Sequence, residues 1–226
     1  MLGNLYLVAT PIGNLEDITF RAIKTLKEVD LILCEDTRVT QKLLDHFDIQ
    51  NNTLSYHQQS NPAKMHEIFK LLQEGKNLAL VTDAGTPGIS DPGNELINFL
   101  NQFNIKTISI PGASSLTSAL SISGFNISTF MFIGFWPKKK AHKTIEKIKS
   151  LDCPVVFFES PFRISKTLNL LITEFGEDKR IFIGQELTKM HERTLRTSLL
   201  NAKLELEKEQ KELGRVKGEL VCILEG

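Results

Sequence analysis

The run Asn77-Leu78-Ala79-Leu80-Val81 is short, apolar and preceded by the turn signal Glu74-Gly75-Lys76, so it is expected to be a buried strand. It ends abruptly: residues 83–93 hold three glycines, two prolines and two aspartates. Gly85, Gly88 and Gly93 admit positive φ and close backbone approach, while Pro87 and Pro92 fix φ and stiffen the path. A stiff loop of small residues at the carboxyl end of a buried strand is where open α/β sheets seat ligands. Gly and Pro are also ordinary turn residues, and the plainer reading is a strand-to-helix connection. So much special backbone chemistry directly after a buried strand favours the ligand loop.

Around that loop, strands and helices alternate. Strands are expected at 3–9, 29–34, 54–56 and 107–110. Helices are expected after Thr19 as a cap, from Thr40, over 62–73, over 94–103 and over 115–122. Such alternation implies a parallel sheet with helices on both faces. Residues 124–129 read as a connector, dividing the chain into 1–123 and 124–226. The second half has strand-like runs at 130–135, 154–158, 180–184 and 219–224, with helices at 143–150, 163–175 and 198–208 between them. The charged stretch 203–212 is expected to be a solvated helix face.

Basic and acidic residues balance at 27 each, which excludes a global polycationic field and leaves any nucleic-acid contact to a local patch. Cys34, Cys153 and Cys222 are far apart and make no metal-ligand spacing with the histidines, as expected of small core residues in a reducing cytosol without a metal. No window approaches the ~20 apolar residues that span a bilayer, and the amino terminus lacks the marks of a signal peptide. A soluble, cytoplasmic protein is expected.

The loops 10–14, 83–93 and 111–115 each follow an expected parallel strand and so can face one sheet edge. None is G-x-G-x-x-G or G-x-x-x-x-G-K-[ST], and the missing lysine weakens the case for a highly charged phosphate. A compact polar ligand with an adenosine-like or amino-acid-like part suits such loops, and a cationic one suits Asp36, Asp83 and Asp91.

Thr10-Pro11-Ile12-Gly13-Asn14-Leu15, Glu35-Asp36-Thr37-Arg38, Asp83-Ala84-Gly85-Thr86-Pro87 and Ser90-Asp91-Pro92-Gly93 resemble the signature loops of the ribosomal RNA small-subunit methyltransferase I family. Pro111-Gly112, Glu186-Leu187-Thr188-Lys189 and Lys217-Gly218-Glu219 extend the match, in order, along the whole chain. That family is a subgroup of the tetrapyrrole methylase-like proteins. The resemblance implies two α/β domains, parallel-sheet then mixed-sheet, with S-adenosylmethionine held in a cleft between them, usually in a homodimer. It implies 2′-O-methylation of a cytidine ribose in the decoding region of 16S rRNA, on the small ribosomal subunit, with no metal and no membrane. Donor contacts carry over onto Pro11, Gly85, Thr86, Ile89, Ser114 and Ser115, and from the second domain onto Phe158 and Leu187. Many members continue beyond the Lys-Gly-Glu strand into a small helical segment, whereas the sequence here stops at Gly226.

A ribose hydroxyl is a weak nucleophile, so transfer needs in-line positioning and help in removing a proton. The candidates are Asp36, Glu159, Glu186 and Lys189, with Arg38 and Arg163 to hold phosphates or orient a carboxylate. Each has a structural alternative: Asp36 and Arg38 as a helix cap, Glu159 as a cap, and Glu186 with Lys189 as an exposed ion pair. Lys138-Lys139-Lys140, next to Trp136, is the dense basic segment, and an aromatic beside lysines suits RNA, with Trp136 stacking a base. A solvated helix start is the commoner fate of such a run. Two other functions compete: a methylase of this fold acting on a tetrapyrrole or a protein residue, and a non-catalytic ribosome-binding module. Gly85-Thr86-Pro87, where tetrapyrrole methylases typically carry Gly-Asp-Pro, argues against the first.

Overall fold

A computed structural model describes residues 1–57, 62–139 and 141–226. The chain divides into two compact units, Met1–Ser114 and Ser115–Gly226.

The first unit is one parallel sheet. Its strands are β1 (Leu5–Val8), β2 (Leu31–Cys34), β3 (Thr53–Ser55), β4 (Leu78–Leu80) and β5 (Thr107–Ile110), in the spatial order β3-β2-β4-β1-β5. The connecting helices are α1 (Phe20–Glu28), α2 (Thr37–His46), α3 (Pro62–Gln73) and α4 (Asn94–Asn101). Buried strands alternate their side chains between two helix-covered faces, which is why the short runs are apolar throughout. Val8, Ile32, Cys34 and Val81 core one face with Ala22 and Leu26 of α1 and Leu44 of α2. Leu5, Leu33, Leu78 and Leu80 core the other with Ile68 and Leu72 of α3 and Leu96 and Leu100 of α4. Thr19 caps α1 as expected, its hydroxyl accepting from the Ala22 amide at 3.1 Å. The next helix starts at Thr37 rather than Thr40, because the Asp36 carboxylate is its cap.

The second unit is a mixed sheet, β6-β7-β10-β8-β9 in spatial order. Its strands are β6 (Met131–Phe135), β7 (Val155–Glu159), β8 (Arg180–Gln185), β9 (Arg193–Ser198) and β10 (Leu220–Leu224). Among the described residues of this sheet only β6 and β7 run parallel. Its helices are α5 (Ser115–Ser123), α6 (Ala141–Lys149), α7 (Ile164–Phe175) and α8 (Leu199–Leu213). The unit begins one helix earlier than the connector at 124–129 suggests. Arg196 of β9 donates from Nε to the carbonyls of Ile122 (3.0 Å) and Ser123 (3.2 Å), and the Arg180 guanidinium lies 5.3 Å from the Phe125 ring centroid. These contacts tie α5 and the connector to the second sheet. β9 is not announced by the sequence, since Arg193-Thr194-Leu195-Arg196-Thr197-Ser198 lacks an apolar run; it is one of the sheet's two edge strands and is only partly buried.

Candidate active site

The side chains expected of a site fall into two clusters, one in each unit. In the first unit β1 leads into α1 on one face of the sheet, while its neighbour β4 leads through its loop to α4 on the other. Adjacent strands whose connections leave to opposite faces define the topological switch point, where ligands enter open α/β sheets. The loops there are tied together by backbone. Thr10 and Gly85 exchange N–H to carbonyl bonds of 2.9 and 3.1 Å, the Thr10 hydroxyl donates to the Thr82 carbonyl at 3.1 Å, and the Thr86 hydroxyl donates to the Ala113 carbonyl at 3.1 Å. Gly85 has φ +85°, and a Cβ there would lie 3.3 Å from the Ile12 side chain and 3.8 Å from the Ala113 carbonyl. The positive φ favours glycine where the three loops meet, and an added Cβ would press on the Ile12 side chain. Pro11 and Pro87 are buried, whereas Ile89 is exposed and Thr86 and Ser114 are half-buried.

No lysine or arginine occurs in residues 9–14, 81–93 or 111–114; the charges are Asp83 and Asp91. Beside them, Asp83 Oδ1 accepts from the Asp36 amide at 3.1 Å. Asp36 in turn caps α2 through the Arg38 amide (2.9 Å) and chelates the Arg38 guanidinium at 3.0 and 2.6 Å. That hydrogen bonding lowers its pKa to about 2. Asp36 is thus a fixed carboxylate and a weak proton acceptor. Glu35 is not singled out by the sequence: although the residue is exposed, desolvation of its carboxyl at the end of β2, then the negative charge of Asp83, pushes it up from the ordinary value. The signal was there, since two carboxylates end β2 and a third follows β4.

In the second unit, register places the carboxyl ends of β7 and β8 beside the start of β10, with Leu220 opposite both Glu159 and Gln185. Glu159 is buried, and its carboxylate accepts from the Ser160 amide (2.7 Å), the Thr167 hydroxyl (2.5 Å) and the Arg163 guanidinium (3.2 Å). Arg163 also donates to the Trp136 carbonyl at 2.7 Å, so it orients a carboxylate and braces a neighbouring loop. Glu186 Oε1 accepts from Lys189 Nζ at 2.7 Å and from the Glu219 amide at 3.2 Å, while Lys189 also faces Glu219 at 3.7 Å. Burial pushes Glu186 up, but the Lys189 ammonium and the Glu219 amide outweigh it and the net shift is down. For Lys189 burial pulls down and the two carboxylates prevail, so it is raised. The pair stays ionised and, with side chains 20% and 31% exposed, is more enclosed than a surface ion pair. Gly218 makes it possible: a Cβ there would lie 2.2 Å from the Glu186 carboxyl group. Leu187 is buried against Gly184, Phe158 is half-buried at the end of β7, and Ser115 begins α5.

Two sequence expectations change. Trp136 is 3% exposed and packs on Phe157 with ring centroids 4.9 Å apart, so it belongs to the core and is not available to stack a base. The stretch 203–212 is not uniformly solvated: Glu209 accepts from buried Gln185 at 2.9 and 3.1 Å and from the Lys217 amide at 3.1 Å. Lys138 and Lys139 are exposed, and Lys140 lies outside the described residues. Among the described residues no group of three or more His, Cys, Asp or Glu is placed to hold a metal, and no helix is long and apolar enough to cross a membrane.

A model of the tetrapyrrole (corrin/porphyrin) methylases matches residues 4–203. The ribosomal RNA small subunit methyltransferase I of Halalkalibacterium halodurans is 45% identical, over 99% of this chain and 76% of that protein. The Thermotoga maritima protein of the same name is 43% identical, over 100% of this chain and 99% of its own length. The chain belongs to the ribosomal RNA small subunit methyltransferase I family of tetrapyrrole methylases. Within solved structures the family fold is shared by a cobalt precorrin-4 methyltransferase (TM-score 0.72, 18% identity, 97% of this chain and 94% of that one). It is shared too by a Thermus thermophilus uroporphyrin-III C-methyltransferase complexed with S-adenosylhomocysteine (TM-score 0.68, 17% identity, 99% and 97%). At such identities the likeness establishes the fold of the family and nothing finer.

Proposed function

We propose that the protein is an S-adenosylmethionine-dependent methyltransferase of small-subunit ribosomal RNA, acting on the 2′-hydroxyl of a cytidine ribose in the decoding region. The observation that carries this is the switch-point loop cluster around Gly85, in a chain that aligns over nearly its whole length with relatives named for that rRNA. The cluster fits the donor's chemistry. It is a glycine-pinned backbone surface whose own loops carry no basic residue, flanked by Asp83 and by the Asp36–Arg38 pair, which suits a cationic sulfonium with adenosine and amino-acid parts. Bound there, S-adenosylmethionine would supply an electrophilic methyl group.

Pro11, Gly85, Thr86, Ile89 and Ser114 are the proposed donor contacts of the first unit, and Ser115, Phe158 and Leu187 those of the second. Glu186 and Lys189 are proposed to orient the ribose, since both stay ionised and partly open. Asp36 and Arg38 set the electrostatics beside the donor. Glu159 acts through Arg163 as a positioning residue, because its carboxylate is occupied by three donors. The protein is proposed to work in the cytoplasm as a homodimer, on the small subunit.

The test is methyl transfer from labelled S-adenosylmethionine to undermethylated small subunits, with total tRNA and a porphyrin precursor as controls. Label in 16S rRNA at one alkali-resistant linkage is the expected result. Label in the porphyrin alone would replace the acceptor. Donor binding with no labelled acceptor would favour a ribosome-binding module.

A further inference from the structure

Residues 96–145 contain no aspartate or glutamate, and lysines 138–140 and 143 crowd its end, so a chain neutral overall carries a local positive tract. The fold places Lys138 and Lys139, both exposed, just beyond the carboxyl end of β6. Two aromatic side chains stand in solvent at the same sheet edge. Phe135 ends β6 and is 60% exposed; Phe162 follows β7 and is 84% exposed. β6 and β7 are parallel neighbours, with Phe135 in register with Phe158 and their ring centroids 5.4 Å apart. A bond of 2.8 Å from the Trp136 amide to the Phe158 carbonyl closes the strand ends, and the Arg163 bond to the Trp136 carbonyl pins the next turn. Phe162 sits at the tip of that turn, its amide donating to the Ser160 hydroxyl at 3.3 Å. Of the nearby acids, Glu159 is buried against Arg163 and Glu174 is paired with Lys149; Glu146 is exposed on α6.

We propose that this edge is a stacking platform for single-stranded RNA, in which Phe162 and Phe135 take unpaired bases while Lys138 and Lys139 meet phosphates. Neither ring contributes to the buried core of the unit, and rigid aromatics beside free cations are what sequence-tolerant binding of unpaired strands requires. Trp136, the aromatic that the sequence suggests, serves beneath the platform as part of the core. The inference rests on the RNA-methylating function and assigns the acceptor strand its contacts.

Phe162→Ala is the decisive variant, because removing an exposed ring leaves no cavity; Phe135→Ala and Lys138→Glu/Lys139→Glu accompany it. Anisotropy with a short unstructured RNA and with inorganic polyphosphate separates stacking from charge, and calorimetry with S-adenosylhomocysteine confirms an intact fold. Each phenylalanine variant is expected to weaken RNA roughly tenfold or more and to leave polyphosphate unchanged. The lysine variant should weaken both and flatten the salt dependence. Wild-type RNA affinity in Phe162→Ala overturns the platform, and so does a loss of self-association by light scattering, which would make the face a contact between copies. If the wild type methylates small subunits and Phe162→Ala does so with unchanged KM, the platform fails alone; if the wild type methylates no RNA, the parent function fails with it.

Discussion

At the scale of single residues, the site depends on where charge is fixed and where a Cβ is forbidden. Glu35 and Asp83 show the first. A carboxyl raised by desolvation and by a neighbouring carboxylate is more stable protonated in the fold, so its contribution to stability, small for an exposed residue, is present below the ordinary glutamate value of 4.5 and is lost as pH rises through the raised one. The Glu35 carboxyl resonance should therefore titrate above that value, and Asp83→Asn should bring its midpoint down; a midpoint insensitive to Asp83 would show that the two do not interact. Gly218 shows the second. With φ +75° and a Cβ position 2.2 Å from the Glu186 carboxyl, Gly218→Ala should cost about 1–3 kcal/mol in urea denaturation. It should lower methyl transfer more than Gly176→Ala, where φ is also positive but nothing lies within 4 Å. Equal effects would mean that backbone strain alone is being measured.

At the scale of elements, α8 is held to β8 by a polar clamp. Gln185 donates to both oxygens of Glu209 and to the Lys217 carbonyl, Lys217 donates back to Glu209, and Arg193 lies 3.5 Å from the same carboxylate. Glu209→Ala leaves the buried Gln185 amide with only the Lys217 carbonyl as acceptor and should cost about 1–3 kcal/mol. Exposed Glu212, on the same helix, should change stability by under about 0.5 kcal/mol when replaced by Ala. Chemical denaturation of both variants checks this, and equal small losses would make the clamp ornamental. Such clamps explain what the sequence could and could not reveal. α3 spans Pro62–Gln73 as its apolar spacing indicates, and Thr19 and the five parallel strands are legible because each follows a local rule. Glu209 is not, because a glutamate in a charged stretch looks solvated until a buried glutamine from another element meets it. β9 was invisible for the converse reason: its residues are polar apart from Leu195 and only partly buried, so it carries no apolar run. Among site residues the loop glycines could be read from spacing. The burial of Trp136 could not, since its apolar surroundings are drawn from distant segments such as Phe157 and Leu168.

At the scale of the whole molecule, the two units have separate cores, and the proposed donor contacts are drawn from both. A ligand that binds only the native state stabilises it by about 2.7 kcal/mol at a hundredfold excess over Kd. For a chain of this length that corresponds to roughly 5–11 °C in melting temperature. S-adenosylhomocysteine should produce such a shift by scanning calorimetry. Gly85→Val should abolish it, because a branched side chain at φ +85° would enter the space of Ile12 and drive the three loops apart. The variant carries its own control: the second unit contains none of the loops that meet at Gly85, so its part of the transition should stay where it was in the wild type without ligand. A shift confined to the first unit's part of the wild-type transition would withdraw Phe158 and Leu187 as donor contacts while keeping Gly85, Thr86 and Ile89. A full shift retained by Gly85→Val would place the donor elsewhere altogether, because a branched residue at φ +85° strains the Thr10–Gly85 bridge on which the proposed site is built.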